Sequence, residues 1–143
     1  GIRVGYGFGH EDLIASLNKV KLPFEPNLIA QVAAVGALED TPHLERTLRN
    51  NEKRYKLCFQ YLQEKGFSPI PSVTNFITIK TGSEEASQFL FENLLNEGVI
   101  IRPLKANEMP DFIRVSIGTK EEMEHFREAM EKVFPHYFEK FST

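Results

Sequence analysis

The sequence predicts an α/β fold. Three observations carry that prediction: short apolar runs at 73–80, 99–104 and 112–117, helical spacing of apolar residues between and after them, and helix-start signals at the joints. Together they give a β-α-β-β-α order over the second half of the chain, preceded by three helices. With 143 residues, 41% of them hydrophobic and 12 of them phenylalanine, the chain can bury one ordinary core.

In chain order, Ile2 to Tyr6 reads as a strand that runs into Gly5, Gly7 and Gly9. Behind the acidic pair Glu11 and Asp12, which suits a positive helix N-terminus, Leu13, Ile14, Leu17 and Val20 recur at helical spacing. Pro23 stops that helix, LPFEPN at 22–27 is an extended connection, and Asn27 can cap the next helix over 28–39. Ala30, Ala33, Ala34, Gly36 and Ala37 make this second helix small on most sides, so it should pack closely against something large. Thr41 as cap and Pro42 at the first helical position open a long helix to Gly66. Its narrow stripe of Leu44, Leu48, Tyr55, Cys58 and Leu62 reads as a partly exposed connector.

From Phe67 the pattern changes to a strand at 73–80, a helix at 84–97, strands at 99–104 and 112–117, and a helix at 120–134. Ser83 can cap the first of these helices, Gly98 ends it, and Thr119 with Glu122 forms a capping box for the second. KANEMPD joins the last two strands as a hairpin loop, and Phe134, Tyr137, Phe138 and Phe141 form an aromatic stripe around and beyond Pro135.

Charge and composition exclude several classes. The net charge is −3, with 17 basic and 20 acidic residues interspersed, so nothing attracts nucleic acid or an anionic membrane surface. VAAVGAL at 32–38 is far too short for a membrane span, and the N-terminus lacks the pattern of a leader, which reads as a soluble, unprocessed protein. One cysteine allows no internal disulfide and suits a reducing, cytoplasmic setting; its place on the apolar stripe makes Cys58 a buried structural thiol rather than a nucleophile. His10, His43, His125 and His136 stand at no metal-ligand spacing, and no serine has the context of a catalytic nucleophile.

Two features remain as candidates for chemistry. Gly5-Tyr6-Gly7-Phe8-Gly9 is either a tight turn or a phosphate-binding turn, but it lacks the dinucleotide spacing. Arg3, Arg102 and Arg114 sit inside apolar strand sequence. Each alone fits a solvent-facing strand position, but arginine cannot shed its charge, and three of them could converge on an anionic ligand. In the last strand Phe112, Arg114 and Ser116 share one face and Ile113, Val115 and Ile117 the other, so only the second face need be core.

Gly1-Ile2-Arg3-Val4-Gly5-Tyr6 resembles the end of the class I/II aminotransferase signature. VKLPFEPNLIAQVAAVGALED, SVTNFITIK, GVIIRPL and FIRVSIGTKEEME resemble, in order, segments of the histidinol-phosphate aminotransferase family, so the likeness covers nearly the whole chain. Glu25-Pro26 departs from the pair many members carry. The resemblance implies the C-terminal part of a fold type I aminotransferase: 1–40 the tail of the large cofactor-binding domain, 41–66 a connecting helix, and 67–143 the small β-α-β-β-α domain. It implies pyridoxal 5′-phosphate as cofactor, with Arg3 on its phosphate, Arg114 on the substrate α-carboxylate, Arg102 near the substrate's distal phosphate and Asn75 near the ligand. The Schiff-base lysine belongs before Arg3, so no catalytic lysine is assigned and the chain by itself is expected to be inactive. The implied reaction moves an amino group between L-histidinol phosphate and 2-oxoglutarate, in a homodimer. Aromatic amino acids or decarboxylation of threonine phosphate are the nearer alternatives, and a non-catalytic ligand-binding α/β module the more distant one.

Overall fold

The computed structural model describes residues 2–141, so Gly1, the first residue of the signature hexapeptide, and Ser142 and Thr143 lie outside the described residues. The chain forms two compact units, one up to Arg46 and one from Thr47 onward.

In the first unit, residues 2–10 form no regular element, where the sequence predicts a strand over Ile2 to Tyr6. A strand persists only when its N–H and C=O groups are paired in a ladder, and no described strand pairs with this segment. Helix α1, Glu11–Val20, is capped by the His10 ring, which accepts from the Asp12 N–H at 3.4 Å. Helix α2, Leu28–Glu39, begins where Asn27 Oδ1 accepts from the Ala30 N–H at 2.9 Å, as predicted. Helix α3, Thr41–Glu64, starts one residue earlier than the sequence suggests: the Asp40 carboxylate, not Thr41, accepts from the His43 N–H at 2.9 Å. Asp40 thus ends α2 and caps α3, and Pro42 falls in a first turn where a missing N–H costs nothing. Around these helices the apolar side chains are open: Phe24 is 99% and Ile29 71% exposed, and among the described residues of this unit only Ala30 is buried.

The second unit is built on a four-stranded antiparallel sheet of order β1-β2-β4-β3. Its strands are β1 Ser68–Ile70, β2 Phe76–Lys80, β3 Arg102–Pro103 and β4 Phe112–Ser116, with helices α4 Glu84–Asn96 and α5 Lys120–Phe141. The predicted β-α-β-β-α series is present, preceded by the short strand β1, which the sequence reading missed; three residues with a central proline carry no alternation to detect. The run 99–104 contributes only two ladder residues, and KANEMPD contains a 3₁₀ turn at Lys105–Asn107. Because β2 and β3 both pair antiparallel to β4, the α4 crossover leaves a gap that β4 fills.

The caps follow the sequence. Ser83 Oγ accepts from the Ala86 N–H at 3.1 Å, and Gly98, at φ 79°, turns the chain out of α4. Thr119 and Glu122 exchange the capping-box bonds, Thr119 N–H to Glu122 Oε2 at 2.7 Å and Glu122 N–H to Thr119 Oγ1 at 3.3 Å. A side chain at Gly118 would push the Glu122 side chain aside and with it the capping bond from the Thr119 N–H. Helix α5 continues through Pro135, where the sequence reading ends it. Burial of Phe134 and Tyr137 against Phe67, at ring separations of 5.3 and 5.2 Å, offsets the lost backbone bond.

One core joins these elements: Ile77 and Ile79 from β2, Ile113 and Val115 from β4, Leu90 and Leu94 from α4, Phe126 and Met130 from α5, and Cys58 and Leu62 from α3. The second half of α3 is therefore a core helix, and only its first half, with Leu44 and Leu48 exposed, fits the connector reading. Tyr137 Oη donates to the buried Thr81 carbonyl at 2.9 Å, tying α5 to the end of β2.

Ile113→Ala should lower unfolding stability by about 2–5 kcal/mol, because Ile113 is fully buried, whereas Leu48→Ala should change it by roughly 0.5 kcal/mol or less; urea titration of both variants measures the contrast. The open apolar surface around Phe24 and α2 should bind a hydrophobic dye or drive association of the purified chain. A strictly monomeric chain without dye fluorescence would contradict it.

Candidate functional site

Strand alternation builds the site. In β4, Ile113 and Val115 turn to the core, so Phe112, Arg114 and Ser116 stand on the opposite face of the sheet. The register then sets Arg114 between two neighbours: Thr78 of β2 on one side and Arg102 of β3 on the other. Two of the three predicted arginines are thus direct cross-strand partners. Like charges placed opposite one another repel, and an anion between them would relieve the repulsion.

Arg114 is half-buried, and its guanidinium lies over the Phe76 ring, 5.1 Å from the centroid. Its Nε is buried and donates to no acceptor. A guanidinium N–H removed from water without a partner is costly, so this group is poised for a carboxylate or phosphate oxygen. Arg102 is exposed beside it. Asn75 stands just before β2; its carbonyl accepts from the Ile117 N–H at 2.8 Å and its side chain is exposed.

Helix α3 holds this end of the sheet through Tyr55 of its stripe and through two asparagines the sequence reading did not single out. Asn50 Nδ2 donates to the Gly118 carbonyl at 2.9 Å and Asn51 Nδ2 to the Thr74 carbonyl at 3.2 Å, while Tyr55 Oη accepts from the Ser72 N–H at 2.8 Å. One signal could have found them: an Asn-Asn pair inside a long helix, where asparagine is a poor helix former, points to side chains used elsewhere. Thr78 could have been found by carrying the alternation of β4 across to β2.

Arg3 belongs to the first unit. Its backbone is left-handed, φ 64°, a conformation that costs a non-glycine residue energy and often marks a functional position. Ile2, Arg3, Val4 and Gly5 line an open cleft with Ala33, Ala34 and Ala37 of α2, so the small-residue face borders the arginine. A Cβ at Gly5 or Gly7 would meet nothing, which leaves the backbone open to a ligand.

Cys58 is buried in the core, and that burial pushes its thiol up to about 12. It belongs to packing and not to nucleophilic chemistry. Among the described residues no group of three or more His, Cys, Asp or Glu side chains could hold a metal ion, and no helix is long and apolar enough to cross a membrane.

The aminotransferase class I and II family model matches residues 1–130. This chain belongs to that family. Among curated relatives, the histidinol-phosphate aminotransferase 1 of Idiomarina loihiensis is 38% identical over 133 residues, 93% of this chain and 36% of the relative. The histidinol-phosphate aminotransferase 2 of Carboxydothermus hydrogenoformans is 42% identical over 119 residues, 83% of this chain and 32% of the relative. The chain therefore spans about a third of the length of the curated relatives it matches. Among solved structures, the histidinol-phosphate aminotransferase of Clostridium acetobutylicum matches with a TM-score of 0.73 at 25% identity, over 88% of this chain and 39% of that one. The Sinorhizobium meliloti enzyme, in complex with pyridoxal-5′-phosphate, matches with a TM-score of 0.75 at 23% identity, over 85% and 34%. The α/β arrangement is thus that of the C-terminal part of a fold type I aminotransferase.

Because burial raises the thiol in the folded chain, the native protein stays protonated at Cys58 where the unfolded chain ionises. The stability this contributes is full below the ordinary value of 9.0 and is lost as pH rises from there toward about 12. Iodoacetamide should label Cys58 of the native chain slowly at pH 9 and rapidly in urea. Equal rates would contradict the burial.

Proposed function

We propose that this chain is the C-terminal part of a pyridoxal-phosphate-dependent aminotransferase that moves an amino group between L-histidinol phosphate and 2-oxoglutarate. The observation that carries the reading is the cross-strand pair Arg102–Arg114, with the Arg114 Nε buried and without an acceptor. Its relatives among the histidinol-phosphate aminotransferases supply the reaction class. In this reading residues 1–40 are the tail of the cofactor-binding domain, 41–66 the connecting helix and 67–143 the small domain; the intact protein is a cytoplasmic homodimer.

The residues present fit the cofactor's phosphate: Arg3 offers a planar cationic fork beside an open backbone at Gly5 and Gly7. When bound, pyridoxal phosphate supplies an electron sink for the pair left when the substrate Cα–H bond breaks. This chain's own part is orientation. Arg114, its guanidinium over the Phe76 ring, grips the α-carboxylate of the amino acid or oxo acid substrate and so fixes the direction of the Cα–H bond. Arg102, the cross-strand neighbour of Arg114, meets the phosphate of L-histidinol phosphate, which has no carboxylate and carries that phosphate on the carbon next to Cα, and Asn75 borders the ligand. The Asn50 and Asn51 bonds keep the strand ends that flank Arg114 and Asn75 from shifting.

In the full-length enzyme, Arg114→Gln should lower kcat/KM for every amino acid substrate by roughly 10²-fold, the loss of a bidentate charged contact. Arg102→Ala should penalise a phosphate-bearing substrate at least ~10-fold more than an aromatic one. Equal losses on the two substrate classes would remove Arg102 from the phosphate and favour the aromatic-aminotransferase reading.

A further inference from the structure

Helices α3 and α5 line an open cleft on the side of the sheet away from the arginine pair. Arg54, Leu57, Cys58 and Tyr61 of α3 and Lys120, Met123, Glu124 and Arg127 of α5 line one cleft of about 280 Å³. Both sets run at i, i+3, i+4 and i+7, so each helix presents a single face to the space between them. Cys58 at its floor belongs to the core that packs against Ile113 and Val115, the strand residues alternating with Arg114. The cleft is therefore separated from the Arg102–Arg114 row by the sheet itself.

Its chemistry is two-sided. Leu57, Met123 and Phe126 make an apolar wall, and Arg54, Lys120 and Arg127 bring three cations against Glu64 and Glu124. Lys120 already pairs with Glu124 at 3.7 Å, and Arg54 lies within electrostatic range of Glu121. Even so, the Arg54 Nε is buried and donates to no acceptor. A charged side chain with an unpaired N–H calls for an oxygen nearby, and the cleft that Arg54 lines is large enough for a small organic ligand, at the lower end of such sites.

We propose that the α3–α5 cleft binds a small organic carboxylate with an apolar or aromatic body, its carboxylate on Arg54 and its body against Leu57, Met123 and Phe126. This site is distinct from the substrate arginines and does not depend on the reaction assigned to them. Helix α3 also carries Asn50 and Asn51, one turn from Arg54, so an occupant of the cleft acts on the same helix that holds the ends of β2 and β4.

The test is an NMR titration of the 143-residue chain with 3-phenylpropionate and, in parallel, with 3-phenyl-1-propanol, the same body without the charge. Saturable shifts at Leu57, Cys58 and Met123, with the acid binding about 10-fold or more tightly than the alcohol, are expected. Arg54→Gln should abolish that preference and Arg114→Gln should keep it. The proposal is overturned by equal affinity for acid and alcohol, by shifts centred on Arg102 and Arg114, by no saturable shift, or by a preference unchanged in a folded Arg54→Gln chain. Should that variant fail to fold, the acid and alcohol comparison on the unaltered chain decides.

Discussion

The pairing of β2 with β4 is the constraint on which the second unit depends. Five residues on each strand face one another, Phe76 opposite Ser116 through Lys80 opposite Phe112. That register sends Ile77, Ile79, Ile113 and Val115 into the core and leaves Phe76, Thr78 and Arg114 on the other face. Because side chains alternate with a period of two, a slip of β4 by one residue would expose Ile113 and Val115 and turn Arg114 into the core. Core and candidate site are two consequences of the same ladder.

The helical layer works on that ladder from behind. Helix α4 crosses from β2 to β3 and leaves room for β4, and α5 extends through Pro135 because its aromatic residues stack on Phe67 and on Phe89. Helix α3 has two characters. Its first turns carry exposed leucines, its middle ties down the strand ends through Asn50, Asn51 and Tyr55, and its last turns bury Cys58 and Leu62.

The first unit has a different energetic status. Its helices are well capped, yet their apolar faces are open, so local signals specify the elements without providing a core of their own. The left-handed backbone at Arg3 fits this picture, since strain persists only where surrounding contacts or a bound group favour it. Apolar cover over α2 and Phe24 is what its surface calls for.

The sequence by itself determined whatever is local. Asn27, Ser83 and the Thr119–Glu122 box announced helix starts, Gly98 announced an end, and alternation in FIRVSI separated Arg114 from the core. It also carried the family, through motifs whose order survives without any contact being known. Only the tertiary structure decided what depends on partners. Residues 2–6 could be read as a strand but have no described ladder partner, the run 99–104 keeps two ladder residues, and Pro135 is accommodated because packing outweighs one lost bond. The pairing of Arg102 with Arg114, the solitary Nε of Arg54 and the cleft between α3 and α5 are likewise invisible in one dimension. Each is a relation between residues far apart in the chain, and the register and helix packing that create it exist only once the core has formed.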